Sequence, residues 1–198
     1  MAEFLVSILA MSAGVFATSA FAKLRNRTAY RDYRAGLRAM RLVPPSLLTG
    51  TAMTLVAVEA VAACGLAAAA GLLASGASAA YPMSGFALAV AAALTLGLVS
   101  GVAVALSRGT QAACACFGGS SARPLGPAHL IRNTVLLALL AAGLAVGLLQ
   151  RDRPGLADSL LAVAAGLVLS LLIIRWEDLV ALVDNGPVTP EHRGSHSP

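Results

Sequence analysis

The sequence has few charged and few aromatic residues. Of its 198 residues, 12% are charged and 5% are aromatic, whereas 58% are hydrophobic. Soluble domains typically carry about a quarter charged residues, so the chain has too little polar surface for a separate soluble domain of useful size. It also has no glycine-rich nucleotide loop and no haem-attachment motif. These absences leave the long apolar segments as the features that define the fold.

Apolar residues form five runs, over residues 4–22, 46–74, 85–106, 129–149 and 156–174. Runs of about 18 or more apolar residues are typical of membrane-spanning helices. Because the bilayer interior offers no water, backbone groups must pair within each segment, which favours helices. We therefore predict an all-α, polytopic transmembrane helical bundle. Its parts are a four-helix membrane core over residues 1–149, a fifth C-terminal span with its extension over 150–183, and a disordered tail over 184–198.

Half of the basic residues lie between the first two spans. Seven of the fourteen Lys and Arg residues fall within residues 23–41. Apolar and tyrosine side chains recur there at spacings of three and four, at Tyr30, Tyr33, Leu37 and Met40. This pattern predicts a basic amphipathic interfacial helix over about residues 24–42, lying on the lipid bilayer. Its position between two spans favours a role in membrane orientation over nucleic-acid binding; a docking surface for a soluble protein is the alternative.

The distribution of basic residues predicts the orientation. With alternating spans, twelve of the fourteen basic residues lie on one side and only Arg151 and Arg153 on the other. Since Lys and Arg are retained in the cytoplasm, we expect a multi-pass protein of a bacterial-type inner membrane with its N-terminus outside. The loop after the third span is then cytoplasmic. The first span has no basic residues before it and is expected to remain uncleaved.

The tripeptide Cys114-Ala115-Cys116, followed by Phe117 and Gly118, lies in the polar break between the third and fourth spans. A disulfide across one intervening residue is strained, and strain makes it easier to reduce and to exchange. Gly118 gives the backbone the freedom that such a ring needs. The pair therefore indicates redox chemistry, with a soft-metal site and two inert interfacial thiols as alternatives. Cys64, within the second span, is interpreted as a small apolar residue.

A few polar residues interrupt the spans. Glu59 lies in the middle of the second span, where a carboxylate costs about 2.5–3.5 kcal/mol on insertion scales. It is a candidate proton carrier, either protonated or paired with Arg132 or His129, and an interhelical hydrogen bond is the structural alternative. His129 and Arg132 would favour a nearby thiolate. Asn133 is expected to bond to the thiol loop or to anchor the helix end.

Taken in order, several of these elements resemble the methylamine utilisation protein MauE family, which is related to the DoxX-like membrane proteins. They are Phe21-Ala22-Lys23-Leu24-Arg25, Glu59, Arg108-Gly109, Cys114-Ala115-Cys116-Phe117-Gly118 and His129-Leu130-Ile131-Arg132-Asn133. The resemblance covers residues 1–149. It implies a four-helix membrane core linked to thiol–disulfide chemistry beside a thioredoxin-like partner. It further implies a role in maturing, transporting or forming disulfides in the small (beta) subunit of methylamine dehydrogenase.

The expected function is thus thiol–disulfide exchange, which would make the chain an oxidoreductase. One of Cys114 and Cys116 attacks a partner disulfide, the other resolves the mixed disulfide, and Glu59 moves the accompanying proton. Thiol chemistry in a bilayer suggests a diffusible quinone as the one cofactor to consider. A soft-metal transport subunit and a non-catalytic assembly subunit are the rival functions. The partner, the direction of electron flow and the oligomeric state stay open.

Overall fold

The computed structural model describes residues 1–77, 79–109, 126–149, 152, 154–176 and 178–180. Within these residues the chain is helical and contains no strand. The helices are α1 Ala2–Leu24, α2 Arg27–Ala39, α3 Leu48–Ala74, α4 Ala80–Ser107, α5 Pro127–Leu149 and α6 Leu156–Ile174. All but α2 are long and apolar enough to cross a membrane. The prediction of an all-α polytopic bundle with an additional amphipathic helix is confirmed.

Local sequence signals explain where several helices begin. The side chain of Asn26 accepts a hydrogen bond from the backbone N–H of Ala29 at 2.8 Å, which caps the start of α2. Pro127 is the first residue of α5, a position where the missing N–H costs nothing. The start of α4 is less obvious, because Pro82 suggests a break. A proline is tolerated in the first turn, and the helix begins before it, at Ala80.

Helix α1 is the centre of the bundle and packs against α3, α5 and α6. Its side chains dominate the fully buried set, which includes Leu5, Ile8, Leu9 and Met11. The contact with α6 is close, since a Cβ built on Gly166 would lie 2.4 Å from the carbonyl oxygen of Ser7. Small residues allow the two helices to approach closely. In lipid, helices have no hydrophobic driving force to associate, and close packing of this kind stabilises their contact instead.

The connection that carries the cysteine pair starts and ends beside the C-terminal end of α2. Val102 and Ala105, near the end of α4, pack with Met40 of the α2 end and with Leu130 of α5. The predicted redox residues Cys114, Cys116, Phe117 and Gly118 themselves lie outside the described residues, and so does the predicted disordered tail over 184–198. The division into core, fifth span and tail stays a prediction.

Candidate functional site

Glu59 and Lys23 form an ion pair inside the bundle. The Nζ of Lys23 lies 2.6 Å from both Oε1 and Oε2 of Glu59. The two residues are only 3% and 2% exposed. At 1.5 Å per residue, Glu59 lies roughly 17 Å along α3 from Leu48, whereas Lys23 is the last residue but one of α1. The buried carboxylate is stabilised because a cation lies directly against it.

Ser19 completes the polar cluster from the same helix as Lys23. Residues four apart share a helix face, and Lys23 donates a hydrogen bond to the Ser19 hydroxyl at 2.9 Å. Ser19 in turn donates to Oε2 of Glu59 at 3.3 Å. An ammonium group has three donors and no acceptor. The two carboxylate oxygens and the Ser19 hydroxyl therefore satisfy the Lys23 ammonium group.

Tyr33 of α2 covers this cluster on the side of the amphipathic helix. The Nζ of Lys23 lies 4.9 Å from the centre of the Tyr33 ring, a cation–π distance. The Tyr30 ring is the next neighbour, with ring centres 6.4 Å apart. Burial raises the pKa of Tyr33, and the electrostatic influence of Glu59 and of the neighbouring Tyr30 adds to this shift. The phenol of Tyr33 therefore stays protonated and neutral beside the ion pair.

Two cavities adjoin the ion pair. The larger, of about 560 Å³, lies between α2, α3 and α4. The smaller, of about 30 Å³, lies between α1, α3, α4 and α5, and its wall includes Ser19, Thr95 and Asn133. A cavity of this smaller size has room for one water molecule. Lys23 and Glu59 contribute to the walls of both, so the pair lies between the two cavities.

The partner of Glu59 differs from the two candidates that the sequence suggested, Arg132 and His129. Within the described residues, the hydrogen bonds to Glu59 come from Lys23 and Ser19, and neither Arg132 nor His129 pairs with it. The reason is that α1 packs directly along α3 and brings Lys23 to the carboxylate. Asn133 does join the site, through the small cavity. His129 and Arg132 are buried at the start of α5, 5% and 3% exposed.

Sequence reasoning missed Lys23, Ser19 and Tyr33 as site residues. The charge pattern predicts only an orienting role for Lys23, and the helical spacing predicts a membrane-surface position for Tyr33. The sequence signal that could have identified Lys23 is Glu59 itself, because a carboxylate within a span needs a cation that can reach it. Lys23 stands directly after the first apolar run, where its side chain can extend into the bundle.

Five candidate spanning helices in the described part of the chain define a multi-pass α-helical membrane protein, and it has a buried ion pair between two of these helices. The family model of the methylamine utilisation protein MauE matches residues 1–149, and the chain belongs to this family. The match includes α1 to α5 and thus every residue of the ion-pair site. A comparison with curated proteins found no match, and a comparison with solved structures found none.

Proposed function

We propose that this MauE family protein carries out thiol–disulfide exchange at the membrane surface, in support of the maturation, disulfide formation or transport of a partner protein. The observation that carries the proposal is the Cys114-Ala115-Cys116 sequence in the connection between α4 and α5. A disulfide across a single residue is strained, and strained disulfides are the ones that exchange.

The described ends of this connection support the proposal. They lie beside the C-terminal end of α2, where Val102 of α4 and Leu130 of α5 pack near Met40. The first turns of α5 contribute the buried side chains His129 and Arg132. A cationic side chain close to a thiol lowers its pKa and raises the fraction of reactive thiolate.

The exchange proceeds in two balanced steps. One thiolate of the pair attacks a sulfur of the partner disulfide, which forms a mixed disulfide and releases the second partner sulfur as a thiolate. The remaining cysteine then attacks its neighbour's sulfur in the mixed disulfide. The Cys114–Cys116 disulfide forms and the partner leaves as a dithiol. The reverse sequence oxidises the partner, so the same residues serve either direction of electron flow.

Glu59 is proposed to hold the proton that accompanies the thiol chemistry. In the ion pair its carboxylate accepts hydrogen bonds from Lys23 and Ser19, and protonation would release Lys23 from it. The small cavity beside Asn133 gives the carboxylate a polar neighbour on the α5 side. Helix α5 follows the cysteine-bearing connection in the chain, so this polar neighbour of Glu59 belongs to the helix next after the thiols.

The proposed location is the inner membrane, with the cysteine connection on the cytoplasmic side, as the basic residues indicate. The proposed partner is a thioredoxin-like protein or a client polypeptide. The client that the family name suggests is a component of methylamine metabolism, with the small subunit of methylamine dehydrogenase as the first to test.

The experiment is a redox titration of the cysteine pair in intact membranes, read by maleimide gel shift. The titration is carried out in the Cys64→Ser variant. Cys64 is exposed and free, so its removal prevents labelling of a third thiol. We expect a reversible disulfide with a midpoint potential above about −300 mV, the range below which structural disulfides resist reduction. Maleimide that cannot cross the membrane identifies the compartment that the pair serves.

Single substitutions test the exchange step itself. Cys114→Ser or Cys116→Ser should leave one thiol that cannot be resolved, so that one of the two variants accumulates a mixed disulfide with the partner. Thiols that stay reduced at every potential, and single variants that trap nothing, would contradict the redox function. Full biological function of the double Cys→Ser variant would favour an assembly subunit.

A further inference from the structure

The larger cavity has the size and lining of a site for an apolar small molecule. Its volume of about 560 Å³ falls within the range of about 300–1,000 Å³ that is typical of ligand sites. Aliphatic side chains form most of the wall, among them Leu37, Leu55 and Leu98. Because α3 and α4 are spanning helices, a ligand can enter from the bilayer.

The polar part of the wall is concentrated at one place. Apart from Thr51, the polar wall residues are Lys23, Glu59 and Tyr33, and Lys23 contacts each of the other two. The ammonium group only donates hydrogen bonds, the carboxylate only accepts them, and a phenol does both. Within the described residues no hydrogen bond engages the Tyr33 hydroxyl. It is therefore the group most readily offered to a ligand.

The charge of this polar end selects the kind of ligand head. Lys23 and Glu59 neutralise each other at 2.6 Å, and no further charged side chain lines the described cavity wall. A fatty-acid carboxylate or a lipid phosphate placed here would be a buried charge without a counter-ion, which is strongly unfavourable. The site thus favours a neutral head that makes hydrogen bonds.

The combination of donors and acceptor matches a head that changes between two hydrogen-bonding forms. A quinone presents carbonyl oxygens, one of which can accept a hydrogen bond from the Tyr33 phenol, since Ser19 and Glu59 already occupy the three donors of Lys23. Its reduced form presents two hydroxyls that donate to a carboxylate. The cavity also has space for a planar ring against α4, because a Cβ on Gly97 would meet nothing within 4 Å.

We infer that this cavity binds an isoprenoid quinone, with its ring at Lys23, Glu59 and Tyr33 and its tail among the aliphatic side chains of α3 and α4. The use of the quinone as an electron acceptor rests on the proposed function. In that step the Cys114 and Cys116 thiols lose two electrons and two protons and form a disulfide. The quinone gains both electrons and both protons and becomes the quinol.

The binding test uses the full chain in lipid nanodiscs and ubiquinone-1 as the probe, measured by titration calorimetry. Gly97→Leu fills the cavity from α4, and Ala93→Leu, also a wall residue, fills it one turn earlier. Gly71→Leu is the matched control, since a Cβ there also meets nothing within 4 Å and Gly71 lies outside the cavity wall. Thermal unfolding of each variant checks that it is folded.

We expect saturable binding near one ubiquinone-1 per chain, weakened at least tenfold by either cavity-filling variant and unchanged in Gly71→Leu. Tyr33→Phe should weaken binding about tenfold, the value of one hydrogen bond. Equal weakening in the Gly71→Leu control, or no weakening in folded Gly97→Leu and Ala93→Leu, would overturn the site. Displacement of ubiquinone-1 by decanol at equal concentration, with no effect of Tyr33→Phe, would assign the cavity to acyl chains instead.

A second readout separates this inference from the proposed function. Reduced protein is mixed with ubiquinone-1, and disulfide and quinol are counted together. Equal amounts of both support the acceptor role. Quinone binding without thiol oxidation overturns that role and leaves protein exchange, which the trapped mixed disulfide measures independently. If no mixed disulfide forms while ubiquinone-1 still binds at the cavity, the proposed exchange fails and the binding site stands.

Discussion

The Nζ of Lys23 lies equally close, at 2.6 Å, to both carboxylate oxygens of Glu59, although 36 residues separate the two in the chain. This contact joins the end of α1 to the middle of α3. It also determines the chemistry of both adjoining cavities, because each of them includes the pair in its wall.

The first prediction concerns the stability of this pair. Lys23→Met or Glu59→Leu alone should lower the free energy of unfolding by about 3–5 kcal/mol, because each leaves an uncompensated buried charge. The double variant should recover most of the loss, since apolar side chains of similar volume replace the pair. Reversible unfolding in mild detergent measures the cycle.

The control for this cycle is Arg38→Met, which removes an exposed basic residue of α2. Its stability should change by less than about 0.5 kcal/mol. Losses in Lys23→Met and Glu59→Leu that simply add in the double variant would show that the two side chains are not energetically coupled.

The second prediction concerns the contact between α1 and α6. Gly166→Ala should destabilise the bundle by about 1–3 kcal/mol, because the new Cβ would lie 2.4 Å from the Ser7 carbonyl oxygen and 3.0 Å from the Ala10 Cβ. Gly71→Ala is the control, because its Cβ meets nothing within 4 Å. Alanine there should stabilise α3 by up to about 1 kcal/mol. If both substitutions shifted the thermal midpoint in the same direction relative to wild type, this packing would be contradicted.

The third prediction is a pH dependence due to Tyr33. Because its pKa is raised in the folded protein, the protonated phenol favours the folded state. This contribution is fully present below the ordinary tyrosine pKa of about 10 and is lost as the pH rises toward the higher folded value. The neighbouring groups Lys23, Glu59 and Tyr30 stay in place in Tyr33→Phe.

Wild type should therefore lose more stability than Tyr33→Phe between pH 9 and pH 11 (roughly one unit on either side of the ordinary value). The measurement is the difference in thermal midpoint between the two proteins at each pH. Tyr30→Phe provides the comparison for a tyrosine on the same helix. Parallel loss of stability in wild type and Tyr33→Phe would exclude Tyr33 as the cause.

The fourth prediction tests the orientation. In a background with all three cysteines replaced by serine, Ser75→Cys and Arg38→Cys place single thiols at exposed positions at opposite ends of the spans. An impermeant maleimide should label Ser75→Cys in intact cells and should reach Arg38→Cys only after permeabilisation. The opposite labelling pattern would place the cysteine connection outside the cytoplasm.

The sequence predicted the spanning helices well because the bilayer imposes a one-dimensional requirement. A spanning segment needs about 20 apolar residues and internal backbone pairing, and neither condition depends on the other helices. Helix ends were less predictable. The third span was predicted to begin at residue 85, whereas α4 begins at Ala80 with Pro82 in its first turn.

The sequence could also mark Glu59 as exceptional, because a carboxylate in an apolar run is unfavourable wherever its helix packs. It could not name the partner. Arg132, His129 and Lys23 all offered a positive charge, and the choice among them depended on which helix lies next to α3. Asn133 was marked as polar, but only the packing of α5 against α4 and α1 brings it to the small cavity.

The sequence by itself thus determined the hydropathy pattern, the charge distribution and the spacing of Cys114 and Cys116. It also determined that the chain belongs to the MauE family. The tertiary structure alone decided that α1 packs along α3, that Lys23 meets Glu59, and that Tyr33 of α2 covers them. It alone also formed the cavity between α2, α3 and α4. The physical reason is that membrane insertion depends on properties summed along one segment. Ion pairing and cavity shape depend on which faces of different helices meet.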